Sequence, residues 1–215
     1  MPLLFHEYID PGIELGVWEI NEDESWFLNE LLLYPGELRQ LSLIKGPKRL
    51  EWLGVRHLVH EMSGRIKRGA FLKDEFGKPY LEHSDHHISI SHSEGMAAAV
   101  ASLVNNGVDI QKIVGKLVAV ARRVMNPEEL ASIVPDTYLE HLHVLWGAKE
   151  CLYKAYGRKQ LDFRKHIMID PFTYKKEGGT CSGMVRKDDL EMRFSIVYRI
   201  EKEAYMLVYA LQDSK

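Results

Sequence analysis

The 215-residue sequence has little cysteine, no long apolar run and no excess of basic residues. Its two cysteines, Cys151 and Cys181, are too few for a disulfide framework or a four-cysteine zinc site. No apolar stretch approaches the roughly 18 residues of a membrane-spanning helix, and the N-terminus does not resemble a signal peptide. We therefore expect a cytoplasmic protein with no membrane partner. The net charge of −3 argues against a nucleic-acid partner bound through overall positive charge.

The composition is that of a folded globular protein, with 46% apolar and 27% charged residues. Its length fits one large domain or two small ones. Helix and strand patterns alternate in both halves, which predicts an α+β fold, pseudo-duplicated, with two similar α/β halves. The turn signal Asn105-Asn106-Gly107 lies between two predicted strands, so we place the boundary there, between halves 1–104 and 105–215. The first half carries a net charge of −6 and the second +3.

Local signals predict most of the elements. Asp23 caps a predicted helix at 23–33, and a second helix runs from Pro47 to Gly64. The run 96–104 is ambiguous, because its alanines favour helix while its length permits a buried strand. The remaining predictions are a strand at 87–91, capping boxes at 126–129 and 137–140, a long helix ending at Gly157, and an antiparallel pair at 193–200 and 204–211.

Two groups of residues carry chemistry. Asp109 lies in a short predicted strand, and Glu150 and Lys154 are four residues apart on the long helix, hence on one face. The two carboxylates are suited to Mg²⁺ and the ammonium to a phosphate. The alternative for Glu150 and Lys154 is an ordinary surface ion pair. Ser91 and His92 lie in a hydroxyl-rich strand end suited to phosphate, and the alternative there is a solvated histidine.

Taken together, these motifs resemble the 4′-phosphopantetheinyl transferases, specifically the longer Sfp-type branch. Residues 146–157 contain the family's W-x-x-K-E-x-x-x-K-x-x-G signature. The helix from Arg49 to Arg56 resembles the family's N-terminal half. The resemblance covers about residues 13–210, and order and spacing make it specific. The motifs are Phe76-Gly77-Lys78-Pro79, Ile90-Ser91-His92-Ser93, Gly107-Val108-Asp109-Ile110 and residues 146–157.

The resemblance implies an enzyme that moves the phosphopantetheine arm of coenzyme A to a serine of an apo acyl or peptidyl carrier protein. Adenosine 3′,5′-bisphosphate leaves, and the active site is expected at the interface of the two halves. It further implies that Asp109 and Glu150 bind Mg²⁺, with Mn²⁺ as a substitute, and that Glu150 accepts the serine proton. Lys154 is expected at the pyrophosphate, Lys78 at the adenine and phosphate site, and Ser91 with His92 at the nucleotide end. The enzyme is expected to be a monomer.

The chain departs from the family pattern at one proposed metal ligand. Bacterial members commonly carry a third acid where this chain has Gln111, and a neutral oxygen holds Mg²⁺ more weakly than a carboxylate. Three further cations, Arg39, Arg49 and Lys73, fall near the family's coenzyme-binding positions. The alternative for each is a solvated surface cation.

Two other functions remain open at the level of sequence. Gln111 motivates a protein that binds coenzyme A or a carrier without catalysis. A generic Mg²⁺-dependent phosphohydrolase shares Asp109 and Glu150, but it does not explain Lys78, His92 and Lys154 in this order. A basic cluster follows the Asp109 strand and suits an acidic carrier: Lys112, Lys116, Arg122 and Arg123.

Overall fold

The computed structural model describes residues 3–214, which form an α+β protein and confirm the predicted class. These residues fall into two compact units, one up to Leu103 and the other from Val104 onward. Each unit has its own antiparallel sheet. The similarity of the two halves stays a prediction. No helix among the described residues is long and apolar enough to cross a bilayer.

The N-terminal unit contains a four-stranded sheet in the order β1-β2-β6-β5 and a separate hairpin, β3-β4. Its strands are β1 (Leu3–Asp10), β2 (Ile13–Glu19), β3 (Phe71–Lys73), β4 (Pro79–Leu81), β5 (His87–Ser93) and β6 (Met96–Ser102). Its helices are α1 (Glu24–Leu31), α2 (Pro35–Ser42) and α3 (Lys48–Ser63).

Helix α3 packs on one face of this sheet, and that packing settles the ambiguous run at 96–104. The run is strand β6, whose residues Ala97 and Ala99 lie in the same buried cluster as Val55 and Leu58 of α3. Because alanine is small, the helix can approach the sheet closely, and this packing overrides the helix propensity of alanine.

The C-terminal unit contains a five-stranded sheet in the order β7-β11-β10-β9-β8. Its strands are β7 (Asn106–Lys112), β8 (Ile167–Ile169), β9 (Gly179–Lys187), β10 (Leu190–Glu201) and β11 (Tyr205–Gln212). Its helices are α4 (Val118–Val124), α5 (Pro127–Ala131) and α6 (Tyr138–Tyr156), with 3₁₀ turns at Gly115–Leu117 and Pro135–Thr137. The core forms where apolar residues of α6, such as Leu142 and Leu152, pack on residues of the sheet, such as Phe194 of β10.

Two local predictions were wrong. Asn106 and Gly107 do not form a turn, because both lie in β7 and pair with Leu211 and Ala210 of β11. Thr137 does not cap α6 with its side chain, since a 3₁₀ turn leads directly into the helix. The capping box at 126–129 is confirmed, with Glu129 and Asn126 bonded to each other's backbone N–H.

Candidate active site

Helix α6 lies directly against β7 and the neighbouring strand β11, and two glycines make these approaches possible. A Cβ at Gly107 would lie 2.0 Å from the carbonyl oxygen of Cys151 on α6. A Cβ at Gly147 would lie 2.6 Å from a methyl group of Val208 on β11. Both contacts are far shorter than any real Cβ contact, so glycine is required at each position. The close approach brings the polar side chains of β7 beside those of α6.

Asp109 and Lys154 form an ion pair across this contact. The Lys154 Nζ lies 3.0 Å from Asp109 Oδ1 and also donates to the carbonyl oxygen of Val108, at 2.8 Å. Burial alone would lower the pKa of Lys154, but Asp109, Cys151 and Glu150 together outweigh it and the pKa is raised. Lys154 therefore stays charged, and its contact is with Asp109 on the neighbouring strand.

Glu150 lies one turn before Lys154 on α6 and is half-buried. Burial raises the pKa of its carboxyl group, Lys154 opposes that rise, and the nearby Asp109 carboxylate adds to it. A raised pKa makes a carboxylate a better proton acceptor. The contribution of Asp109 to this rise indicates that the two carboxylates lie near each other.

Gln111 lies two residues beyond Asp109 on β7, near Gly147. Its amide Nε2 donates to the backbone carbonyl oxygen of His143, at 3.2 Å. This bond uses the amide nitrogen and leaves the amide oxygen for another partner.

The donor set at this contact suits a hard divalent cation. Two coupled carboxylates, Asp109 and Glu150, and the amide oxygen of Gln111 are the oxygen ligands that Mg²⁺ prefers. Burial and, to a smaller extent, the Asp109 carboxylate raise the pKa of Glu150, and a bound cation would oppose both effects. No group of three or more His, Cys, Asp or Glu side chains suited to a metal occurs within residues 3–214. Any site here therefore depends on two acids and a neutral third donor.

The lysine of the W-x-x-K-E motif, Lys149, has a structural role that sequence reasoning missed. Its side chain is fully buried and pairs with Glu129 Oε1 at 2.8 Å, and it also donates to the carbonyl oxygens of Phe163 and Ile167. A sequence signal existed, because Lys149 is four residues after Leu145 and three before Leu152, which places it on the core face of α6. A lysine there needs a buried partner.

In the N-terminal unit, two of the proposed nucleotide-binding residues, Ser91 and His92, lie at the end of β5. His92 Nδ1 lies 2.9 Å from a carboxylate oxygen of Glu51, which leaves Nε2 for another partner. Glu51 is a second residue that sequence reasoning missed. Ser91 is buried in β5, next to His92. Lys78 lies before β4, and burial lowers the pKa of its side chain, which the Asp74 carboxylate offsets only in part.

The three remaining cations differ in exposure and in the contacts that they make. Arg39 in α2 and Lys73 in β3 are exposed. The Arg49 guanidinium pairs with Glu24 and donates to the carbonyl oxygens of Leu41 and Ile44. Its charge is thus compensated within its own unit, and it holds the start of α3 in place.

Comparison with known proteins shows which proteins this part of the chain resembles. Residues 106–196, which contain Asp109, Glu150 and Lys154, match the model of the 4′-phosphopantetheinyl transferase superfamily. A 4′-phosphopantetheinyl transferase of Bacillus subtilis is 30% identical over 145 residues, covering 66% of this chain and 62% of the relative. The 4′-phosphopantetheinyl transferase gsp of Aneurinibacillus migulanus is 31% identical over 111 residues, covering 50% of this chain and 46% of the relative. The matches thus span less than two thirds of each curated relative. The C-terminal unit of the chain is thus similar to the 4′-phosphopantetheinyl transferase superfamily over residues 106–196, and both relatives carry the name of that enzyme.

Proposed function

We propose that this protein transfers the 4′-phosphopantetheine arm of coenzyme A to a serine of an apo acyl or peptidyl carrier protein. The observation that carries the proposal is the contact of β7 with α6, where Asp109, Glu150 and Lys154 lie together inside the matched residues. The names of both relatives support the same reaction class.

The reaction is a displacement at phosphorus. The serine Oγ forms a bond to the phosphorus that carries pantetheine, and the bond from that phosphorus to the bridging pyrophosphate oxygen breaks. Adenosine 3′,5′-bisphosphate leaves with that oxygen. Glu150 takes the serine proton, directly or through a water, and its raised pKa suits this role.

Lys154 supplies positive charge for the pyrophosphate. Its raised pKa keeps it protonated, and its bonds to Val108 and Asp109 fix the position of Nζ. A fixed cation stabilises charge that develops on the leaving oxygen without having to reorganise first.

Asp109, Glu150 and Gln111 would hold Mg²⁺ as oxygen ligands. When bound, the ion would neutralise charge on the pyrophosphate and so favour attack by a hydroxyl.

For the nucleotide end of coenzyme A, we propose contacts with residues of the N-terminal unit. His92 contacts the 3′-phosphate of coenzyme A through Nε2, because Glu51 occupies Nδ1. Ser91 and Lys78 line the same end. Arg39 and Lys73 are exposed cations available to phosphate, whereas Arg49 supports the site through its contacts with Glu24 and the chain before α3.

A second function is favoured by one observation. Gln111 stands where the family commonly has an acid, so the site holds two carboxylates in place of three. Such a protein could bind coenzyme A or a carrier without turning over.

The test incubates the full chain with coenzyme A, Mg²⁺ and an apo carrier protein, and measures the mass of the carrier. Transfer adds the mass of the phosphopantetheine arm and releases adenosine 3′,5′-bisphosphate. An unchanged carrier mass with several carriers, together with coenzyme A binding by calorimetry, would contradict the enzyme and support the binding protein.

A further inference from the structure

One stripe of helix α6 lies along strand β7 from Val108 to Gln111. His143, Gly147, Glu150 and Lys154 are spaced by four, three and four residues, so they share one face of α6. The strand runs along this face in the opposite direction. Its N-terminal end meets Lys154 through Val108 and Asp109, and its C-terminal end meets Gly147 and His143 through Gln111.

Lys154 forms hydrogen bonds at the N-terminal end of β7, and His143 forms hydrogen bonds at and just beyond its C-terminal end. The His143 Nε2 accepts a hydrogen bond of 2.9 Å from the backbone N–H of Val114. The carbonyl oxygen of the same residue accepts the 3.2 Å bond from Gln111 Nε2. His143 is 1% exposed, so both bonds form away from competing water.

The chain after β7 is fastened from a second direction as well. The N–H of Ile113 donates to the carbonyl oxygen of Ala204 at 2.8 Å, between β10 and β11. Ile113 is thus bonded to the turn between β10 and β11, and Val114 is bonded to α6. With the Val114 bond lost, Ile113 would keep its bond to Ala204, but Val114 would no longer be tied to α6 and Gln111 would keep its amide contact with the His143 carbonyl oxygen.

We propose that His143 is a positioning residue, which holds residues 111–114 on α6 and so presents the amide oxygen of Gln111 together with Asp109 and Glu150. This proposal rests on the proposed function, because it assigns Gln111 to the metal. It explains how a neutral donor serves where a carboxylate is common. An amide ligand attracts a cation weakly, so it is useful only when its position is fixed beforehand.

The geometry also fixes which nitrogen of His143 carries the proton. Because Nε2 accepts the Val114 N–H, a neutral ring must carry its proton on Nδ1. Nitrogen chemical shifts of ¹⁵N-labelled histidine distinguish the two tautomers and provide a signature that does not depend on activity.

The test compares three single variants of the full chain first, and Gln111→Ala, alone and combined with His143→Leu, afterwards. His143→Leu removes the ring acceptor and leaves the Val114 N–H without it, while His143→Gln keeps a side-chain oxygen that can reach this N–H. His141→Leu is the matched control, because His141 is equally buried on the same helix and its ring nitrogens have no hydrogen-bond partner within residues 3–214. Mn²⁺ binding is measured by electron paramagnetic resonance, and hydrogen exchange is measured at the Val114 amide.

We expect His143→Leu to weaken Mn²⁺ binding by about 10- to 100-fold, as removal of a residue that orients a metal ligand does. Val114 should exchange faster in the same variant. His143→Gln should restore most of the affinity, and His141→Leu should leave it unchanged. If His143 acts through Gln111, the His143→Leu change should add little to Gln111→Ala, which already removes the amide ligand.

Two results would overturn the proposal. In one, His143→Leu binds Mn²⁺ as the unaltered protein does, although Val114 exchanges faster. In the other, His143→Leu and His141→Leu weaken binding equally, which indicates a general effect on the fold. Both results are independent of carrier modification, so they leave the proposed transfer activity standing. Conversely, an unaltered protein that binds Mn²⁺ but modifies no carrier would contradict the function and leave the His143 result readable.

Discussion

His141 is a buried histidine with no role in the proposed chemistry. It is fully buried, and its ring packs against Phe172 and Tyr174. Burial lowers its pKa below the usual value of 6.5, so the folded protein favours the neutral ring. The unfolded chain binds the proton first as pH falls. The contribution of His141 to stability is therefore present above about pH 6.5 and is lost as pH decreases below it.

We predict that His141→Leu makes the protein less sensitive to acid. Its free energy of unfolding should fall less than that of the unaltered protein between about pH 6.5 and the lower pKa of the folded state. Urea unfolding at a series of pH values measures this. Parallel pH profiles for the two proteins would show that His141 does not carry the acid sensitivity.

His92 is the residue on which the nucleotide assignment depends. Its Nδ1 is held by Glu51, so Nε2 is the nitrogen proposed to contact the 3′-phosphate. We predict that His92→Ala raises the KM for coenzyme A more than the KM for 3′-dephospho-coenzyme A, which lacks that phosphate. Steady-state kinetics with both substrates measures the difference. Equal increases would remove His92 from the 3′-phosphate.

At the scale of elements, Gly107 sets the distance between β7 and α6. A Cβ at this position would lie 2.0 Å from a backbone oxygen of Cys151, and backbone cannot move aside as a flexible side chain can. We predict that Gly107→Ala lowers the free energy of unfolding by about 3 kcal/mol or more, at the upper end of overpacking costs. It should also lower transfer, because Asp109 moves with the strand.

Gly115 provides the matched control for this change. A Cβ there meets nothing within 4 Å, so Gly115→Ala should leave stability nearly unchanged. Chemical denaturation of both variants compares them directly. Similar stabilities for the two variants would mean that the close packing of β7 on α6 does not constrain residue 107.

Helices, strands and the matched motifs follow largely from local sequence signals. Asp23 caps α1 as predicted, and Asn126 with Glu129 forms the predicted capping box. These predictions hold because capping depends on residues within one helical turn. The alternating strands β10 and β11 also pair as predicted.

Predictions from the sequence failed where the role of a residue depends on a partner that is distant in the chain. Gly107 was interpreted as a turn residue, but its small size serves a contact with Cys151, which is 44 positions later in the chain. His143 and Lys149 were missed for the same reason, since Val114 and Glu129 become their partners only after folding. The site residues Asp109, Glu150 and Lys154 came from the family motif, and the ion pair of Asp109 with Lys154 came from the structure.

At the scale of the whole molecule, charge is divided between the two halves of the chain. Residues 105–215 carry a net charge of +3, and Lys116, Arg122 and Arg123 are exposed soon after β7. An acidic carrier surface would be attracted to this basic segment. The exposed Val118 on α4 offers an apolar contact in the same region.

We predict that reversing Arg122 and Arg123 to Glu raises the KM for the carrier and leaves the affinity for coenzyme A nearly unchanged. Rising salt should weaken transfer by the unaltered protein and weaken it less in the reversed variant, because salt screens exposed charges. Carrier KM at low and high salt measures both effects. An unchanged carrier KM at low salt would move the docking surface elsewhere.

The central proposal is that phosphopantetheine transfer depends on the carboxylates of Asp109 and Glu150. Its most direct test is single-turnover carrier modification, followed by mass, for Asp109→Asn and Glu150→Gln, with the exposed Asp136→Asn as the control. Both site variants keep the shape of the side chain but lose its charge, so folding should survive. We expect loss of transfer in both, full transfer in the control, and unchanged circular dichroism in all three. Transfer at the unaltered rate by either site variant at low Mg²⁺ would contradict the account.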